Sequence, residues 1–104
     1  MLDELERLKA LLDDNNIEYK FIFERASNPK YNRRLVKLYD NYGSEVLSAI
    51  CHYGSYGYEQ GKIEIMGLLT KTEQKHSSGV VGYLDADNVL KRIKKYLKEK
   101  QWKH

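Results

Sequence analysis

Residues 58–69, YEQGKIEIMGLL, decide how many strands the sheet of this chain has, because the segment fits two different structures. Its apolar residues share one face of a helix, whereas the alternation Ile63-Glu64-Ile65 also fits a strand hairpinned onto the preceding one. A strand would place Gly67 in its interior and would leave the sheet short of helical cover. We therefore predict a helix over this segment and keep the strand as the alternative.

Upstream of this segment, the sequence predicts one helix followed by an antiparallel meander of three strands. Apolar residues at helical spacing from Leu2 to Leu12 indicate the helix. Asp14-Asn15-Asn16 is suited to end it, because asparagine tolerates the left-handed conformation. From Ile17 the pattern changes to a period of two, with Ile17, Tyr19, Phe21 and Phe23 as the expected buried face. The predicted strands are Ile17–Glu24, Arg33–Asp40 and Glu45–Tyr53.

Downstream, residues 70–79 are predicted as a polar loop and the last segment as a helix. Asp85 is placed to cap this helix, because an aspartate oxygen can accept the free amide groups of a first turn. Its expected buried stripe consists of Val89, Leu90, Ile93, Tyr96 and Leu97. The predicted fold class is α+β, with an N-terminal helix, a three-stranded antiparallel sheet and two further helices packed on the sheet, in a single domain spanning residues 1–104.

The composition is typical of a folded, water-soluble chain. Of 104 residues, 41% are hydrophobic and 32% are charged, which is too apolar for a disordered protein. No apolar run reaches the roughly 20 residues of a membrane span, and the acidic start MLDELERLK is unlike a signal peptide. The lone Cys51 agrees with a reducing compartment. We therefore expect a cytoplasmic protein.

The glycine-rich stretch YGSYGYEQGK, residues 53–62, does not form a known phosphate loop. A Walker loop needs a glycine five residues before Gly61-Lys62 and a serine or threonine after it, where this chain has Tyr56 and Ile63. The glycine spacing also differs from that of dinucleotide-binding loops. The glycines are therefore interpreted as backbone freedom at a turn between a strand and a helix.

Cys51 and His52 are the candidates for chemistry, together with the more distant His76. Neighbouring side chains on a regular strand point to opposite faces of the sheet, so Cys51 and His52 should not converge on a metal or a substrate. A β-bulge would weaken this argument, and His76 or Asp85 could then complete a zinc site, which stays open as an alternative. The sequence otherwise predicts no catalytic residue, no metal and no cofactor, and hence a binding protein and no enzyme.

Two groups of residues are candidates for partner binding. Nine tyrosines are present, and tyrosine combines a large rigid ring with a polar tip, which suits interfaces and base stacking. The second group lies on the basic end of the chain, because residues 91–104 carry seven bases and one acid. The candidate partner-binding residues are Tyr53, Tyr56 and Tyr58 in the loop, and Lys91, Lys94, Lys95, Lys98 and Trp102 on the last helix. The loop tyrosines fit a core as well as an interface, and Trp102 fits a frayed terminus as well as an anchor.

The segments AICHYGSYGYEQGKIEIMGLL and VVGYLDADNVLKRI resemble small uncharacterised proteins encoded by phages and prophages of Gram-positive bacteria. The resemblance covers roughly residues 45–95. It implies a small phage accessory protein, a class that includes anti-CRISPR inhibitors, which act without chemistry by occupying a surface of a host nuclease.

The functional hypothesis is therefore a non-enzymatic protein that binds and inhibits a host defence complex. The resemblance implies a protein or protein–RNA partner, namely a type II CRISPR effector nuclease, and no small-molecule substrate. The alternative is a nucleic-acid-binding module that uses Lys91, Lys94, Lys95 and Lys98 of the basic last helix. A zinc-stabilised form of either is a third hypothesis.

Overall fold

The computed structural model describes residues 3–102, with side chains over residues 3–100, as an α+β fold. One antiparallel sheet holds five strands in sequence order, namely β1 Lys20–Glu24, β2 Arg33–Tyr39, β3 Glu45–Ile50, β4 Ile63–Met66 and β5 Val80–Leu84. Three α-helices accompany it: α1 Glu4–Asp14, α2 Lys71–His76 and α3 Ala86–Trp102. Short 3-10 helices occupy Pro29–Tyr31 and Tyr58–Gln60. None of these described helices is both long and apolar enough to cross a membrane.

The predicted three-stranded sheet is wrong, since the sheet has five strands. Residues 58–69, predicted as a helix, contain β4, which pairs antiparallel with β3 in a register that sets Ile65 opposite Ala49. The strand alternative is therefore the correct one. Gly67, which argued against a strand, lies just after β4 with a φ of 95°, where the chain turns tightly against the backbone of Val46.

The sequence prediction also lacks α2 and β5. Residues 70–79, predicted as a loop, contain α2, which begins with a capping box. The Glu73 amide donates to the Thr70 hydroxyl at 3.2 Å, and the Thr70 amide donates to the Glu73 carboxylate at 2.8 Å. β5 forms the sheet edge opposite β1 by pairing with β4. Its sequence VVGYL does not alternate strictly between apolar and polar residues, so the sequence pattern does not predict a strand. Its pairing with β4 identifies it as one.

Helices α1 and α3 contact each other and cover one hydrophobic core, as their apolar stripes predict. Leu5, Leu8 and Leu12 of α1 are fully buried. The predicted cap of α3 is confirmed, because the Asn88 amide donates to the Asp85 carboxylate at 2.8 Å. The predicted end of α1 is confirmed as well, since Asn16 adopts a left-handed φ of 54°. Helices α1 and α3 thus supply one part of the core, and the central strands of the sheet supply the rest.

The expected buried face of the first strand is wrong for two of its residues. Phe21 is 37% exposed and Phe23 is 48% exposed, because β1 is an edge strand. The ammonium of Lys9, on α1, lies 3.8 Å from the centre of the Phe21 ring and partly covers it. Ile17 and Tyr19, which precede β1, do pack against the core. They lie outside the regular strand, which begins at Lys20, three residues later than predicted.

An ion pair between Glu73 and Arg92 fixes α2 to α3. The two terminal nitrogens of Arg92 donate to the two carboxylate oxygens of Glu73 at 2.7 and 2.8 Å. Arg92 also donates to the carbonyl oxygen of Leu68 at 3.1 Å. The hydrogen bonds from Arg92 lower the pKa of the Glu73 carboxyl to about 2. Arg92, one of the seven bases of residues 91–104, is therefore engaged within the fold.

We expect acid to weaken this ion pair before it unfolds the core. Because the folded-state pKa of Glu73 lies below its ordinary value, the stabilisation is complete above about pH 5 and is lost as the pH falls toward about 2. The pair is partly solvated, so Glu73→Gln should lower the free energy of unfolding by about 1 kcal/mol at neutral pH. Urea unfolding of both proteins over this pH range measures the difference, and a difference that stays constant with pH would contradict the assignment.

Candidate functional site

The tyrosine- and glycine-rich loop, residues 53–62, connects β3 to β4 and does not join a strand to a helix as predicted. It is held by hydrogen bonds of its own backbone, including donation from the Lys62 amide to the Gly57 carbonyl at 2.9 Å. At its start, the Ser55 hydroxyl donates to the His52 carbonyl at 2.8 Å and accepts from the His52 amide at 3.1 Å. The loop is therefore a defined turn structure whose backbone is fixed by hydrogen bonds.

The loop docks on the end of β5 through two close backbone approaches. A Cβ atom at Gly82 would overlap the Cβ atom of Tyr56, and one at Gly57 would come within 3.0 Å of the Tyr83 backbone. The Tyr83 amide donates to the Tyr56 carbonyl at 3.3 Å. The Tyr56 amide in turn donates to the carboxylate of Glu64, on β4, at 2.9 Å. Glycine at 57 and 82 thus allows the loop and β5 to meet.

This docking assembles a group of exposed aromatic rings at one end of the sheet, which we call the tyrosine surface. Tyr53 is central: its ring makes edge contacts with Tyr31, at 5.3 Å between centroids, and with Tyr58, at 6.1 Å. The ammonium of Lys30 lies 4.3 Å from the centre of the Tyr53 ring. The five rings are between 38% and 61% exposed. The tyrosine surface comprises Tyr31, Tyr53, Tyr56, Tyr58 and Tyr83.

Two cavities border the tyrosine surface and share Tyr53 and Tyr58 as walls. The larger, about 450 Å³, lies between the loop and β5, and Tyr56, Tyr83 and Glu59 also line it. The smaller, about 200 Å³, lies toward β1 and the start of β2, where its walls include Phe23 and Arg34. The tyrosine surface is therefore concave in two places, which gives a partner side chain somewhere to insert.

Arg34, which lines the smaller cavity, belongs to a network of ion pairs and hydrogen bonds. Arg34 of β2 is ion-paired with Asp3 at the start of α1, donates to Glu6 at 3.1 Å and donates to the Cys51 carbonyl at 3.1 Å. Partial burial raises the pKa of the Asp3 carboxyl, but the hydrogen bonds from Arg34 and from the Glu6 amide outweigh it and hold that pKa below its usual value. The network joins α1, β2 and the residue after β3, and Arg34 and Cys51 line the smaller cavity together with Tyr53 and Tyr58.

Tyr83 adopts an unusual backbone conformation for a large residue. Its φ of 59° lies in the left-handed region, where a non-glycine residue costs about 1–2 kcal/mol. The side chain does not recover this energy by burial, since it is 61% exposed. Tyr83 lies where the pairing of β5 with β4 is irregular, as at a β-bulge. Strained backbone conformations of this kind concentrate at functional sites.

We expect Tyr83→Gly to leave the stability unchanged or to raise it by about 1 kcal/mol, because glycine adopts a positive φ without strain. The same change should weaken partner binding, since it removes one ring of the tyrosine surface. Thermal or urea unfolding measures the first effect and an affinity titration the second. Loss of more than about 1 kcal/mol of stability would mean that the Tyr83 ring serves the fold.

The structure brings the three predicted loop tyrosines together and adds two that the sequence did not suggest. Tyr31 follows Pro29 in the connection between β1 and β2, and Tyr83 lies near the end of β5. Neither is near Tyr53 in sequence, so only the strand order places them beside it. A sequence signal for Tyr83 existed in its neighbour Gly82, because a glycine within a strand often marks a close backbone approach.

The predicted lysines form a separate surface along α3. All four are exposed, and none makes an ion pair with the side chains described over residues 3–100. They recur at helical spacing on one face, at Lys91, Lys94, Lys95 and Lys98. Lys98 lies about 18 Å along the axis from Ala86, where α3 leaves the tyrosine end of the sheet. Trp102 belongs to the helix backbone, but its side chain lies outside the described residues.

Cys51 and His52, the adjacent candidates for chemistry, both have shifted pKa values. Cys51 is 1% exposed within the core, and burial raises the pKa of its thiol to about 11, which disfavours the reactive thiolate. Burial and, second, the charge of Arg33 lower the pKa of His52. Over the described part of the chain, no group of three His, Cys, Asp or Glu side chains is placed to hold a metal ion.

Comparison with known proteins assigns this chain to no family. No family model matches it, and neither a curated protein nor a solved structure does so. The tyrosine surface and the lysines of α3 are therefore the two features from which a function is proposed.

Proposed function

We propose that this chain is a non-enzymatic binding protein that contacts a protein partner through the tyrosine surface, in the cytosol of a host cell. The observation that supports this most strongly is the clustering of five exposed rings at one end of the sheet, where Tyr53 contacts Tyr31 and Tyr58 edge-on and the loop backbone is hydrogen-bonded. Preorganised aromatic side chains lose little entropy on binding, and tyrosine is enriched among the residues that dominate interface energies.

The sequence resemblance to small phage proteins supports a more specific proposal. The partner is then a host defence complex, a type II CRISPR effector nuclease, and binding inhibits it. DNA cleavage by a purified effector with its guide RNA tests this directly. The wild-type protein should inhibit cleavage at concentrations near that of the effector, whereas Tyr53→Ala should inhibit much less. Full cleavage at a large excess of wild-type protein would refute this specific proposal.

Direct binding of nucleic acid is the second candidate function, and one observation favours it. The four lysines of α3 are exposed on one helix face without an ion pair to the side chains described over residues 3–100, so they are available to phosphate groups. Such binding should weaken steeply as salt concentration rises, because it releases counterions. Binding through the tyrosine surface should change far less over the same range.

Capture of partners from a host lysate tests the main proposal. The tagged protein is compared with Tyr53→Ala and with Tyr42→Ala, each with and without nuclease treatment of the lysate. Tyr42 is the matched control, because it is a tyrosine that is 93% exposed in the turn between β2 and β3. The expected result is one stoichiometric protein that survives nuclease treatment, is lost with Tyr53→Ala and is retained with Tyr42→Ala.

Two other results of this capture would contradict the proposal. Recovery of nucleic acid alone, or of proteins that disappear after nuclease treatment, would favour the lysines of α3 as the binding site. Equal recovery of a protein by the wild type and by Tyr53→Ala would show that the partner binds elsewhere on the molecule.

A further inference from the structure

The larger of the two cavities has a lining that is aromatic and acidic. Its walls are four rings of the tyrosine surface, Tyr53, Tyr56, Tyr58 and Tyr83, together with Glu59 and a few small or amide residues. Among the side chains described over residues 3–100, no lysine or arginine lines it. Its volume of about 450 Å³ is large enough to admit one long side chain. This chemistry disfavours an anionic ligand and favours a cation.

We propose that this cavity binds a cationic side chain, arginine or lysine, presented by the protein partner. The faces of tyrosine rings carry negative electrostatic potential, and aromatic cavities of this kind attract guanidinium and ammonium groups. The inference rests on the proposed protein-binding function and specifies the chemistry of the group that the partner must present.

The chain itself shows that its exposed rings accept cations. The ammonium of Lys30 lies 4.3 Å from the centre of the Tyr53 ring and 5.8 Å from that of Tyr31. Lys9 makes the same kind of contact with Phe21 at 3.8 Å. Lys30 belongs to the 3-10 helix on the other side of Tyr53 and does not line the larger cavity. The rings of Tyr56, Tyr58 and Tyr83 are thus the ones that remain for an incoming cation.

Glu59 supplies the charge that an incoming cation needs. It is exposed, lies in the 3-10 helix Tyr58–Gln60 and makes no ion pair with the side chains described over residues 3–100. A charged hydrogen bond from a guanidinium or ammonium to this carboxylate would add direction to the attraction of the rings. A phosphate or another polyanion would meet the same carboxylate as a like charge. The lysines of α3 and the larger cavity therefore suit ligands of opposite sign.

Small probes test the site without knowledge of the partner. We would follow the amide NMR spectrum of the full chain during titration with Nα-acetyl-arginine amide, Nα-acetyl-lysine amide and Nα-acetyl-citrulline amide. Citrulline has nearly the shape of arginine but carries no charge, so it is the matched control. Saturable shifts at residues 53–60 and 83 are expected with one or both cations, at affinities at least about fivefold higher than with citrulline.

Three variants test whether the cationic probes bind in the larger cavity. Glu59→Gln should weaken cation binding about three- to tenfold, and Tyr83→Gly about two- to fivefold, whereas Tyr42→Ala should leave it unchanged. Equal binding of citrulline and arginine, or shifts confined to other parts of the chain, would overturn the proposal.

The two proposals fail in distinguishable ways. If a partner is captured in a Tyr53-dependent manner but the cation probes neither bind nor compete with it, the cavity proposal is wrong and the protein-binding function stands. If the probes bind at residues 53–60 but no protein is captured, the cavity chemistry stands and the proposed function is wrong.

Discussion

Gly67→Ala is expected to lower the free energy of unfolding by about 2–4 kcal/mol, the largest stability effect of a single methyl group that we foresee in this chain. Gly67 has a φ of 95°, which alanine adopts only with strain. Its added Cβ would also overlap the carbonyl oxygen of Val46 and lie 3.2 Å from the Leu47 Cα atom. Neither neighbour can give way easily, because β3 is paired on both sides, with β2 and with β4.

The sign of this effect separates the two structures that the sequence allows. In a helix over residues 58–69, alanine in place of Gly67 would raise stability by about 1 kcal/mol. Gly79→Ala is the matched control, since Gly79 has a φ of 98° and open space around its Cα atom. Gly79→Ala should therefore cost only the conformational strain, about 1 kcal/mol.

Urea unfolding of the wild type and of both variants measures these differences. The expected order of stability is wild type, then Gly79→Ala, then Gly67→Ala. Equal losses in the two variants would mean that the close approach to Val46 is absent, and a gain in Gly67→Ala would contradict the strand β4 itself.

Tyr53→Ala is expected to weaken partner binding by about 30-fold or more, which corresponds to about 2 kcal/mol. Tyr53 touches two other rings of the tyrosine surface, lies beneath Lys30 and lines both cavities. Its removal therefore disturbs more of the surface than removal of any other single tyrosine. Because the ring is 46% exposed, the fold should lose much less stability than the complex.

Calorimetric titration of the captured partner measures this loss, and Tyr42→Ala again supplies the control. Tyr42 lies in the turn between β2 and β3, away from the loop that follows β3, and its substitution should leave the affinity within about twofold of the wild type. Circular dichroism of the free proteins checks that both variants are folded. Comparable losses of affinity in both variants would show that the tyrosine surface has no special role.

The sequence predicts the elements whose patterns are long and regular. The apolar stripes of α1 and α3 run over three or more turns, and their end signals, Asn16 and Asp85, are found in the predicted roles. By contrast, Ile63-Glu64-Ile65 is too short to distinguish a helix from a strand. What decides it is pairing with β3 on one side and β5 on the other, which is tertiary information.

The candidate site could be predicted only where its residues are close together in the sequence. Tyr53, Tyr56 and Tyr58 share one loop, so their proximity is visible in the sequence. Tyr31 and Tyr83 reach them only because the meander brings the β1–β2 connection and the end of β5 to the same end of the sheet. The exposure of Phe21 likewise follows from the position of β1 at the sheet edge, which its alternating pattern does not reveal.

The most direct test of the central claim is the affinity of the purified partner for three forms of the chain at low and high ionic strength. The forms are the wild type, Tyr53→Ala, and a variant in which Lys91, Lys94, Lys95 and Lys98 are all replaced by glutamine. If the tyrosine surface is the binding site, Tyr53→Ala loses about 30-fold or more, and the lysine variant stays within about threefold with little dependence on salt. A large loss in the lysine variant, a steep decline with salt and an unaffected Tyr53→Ala would contradict it.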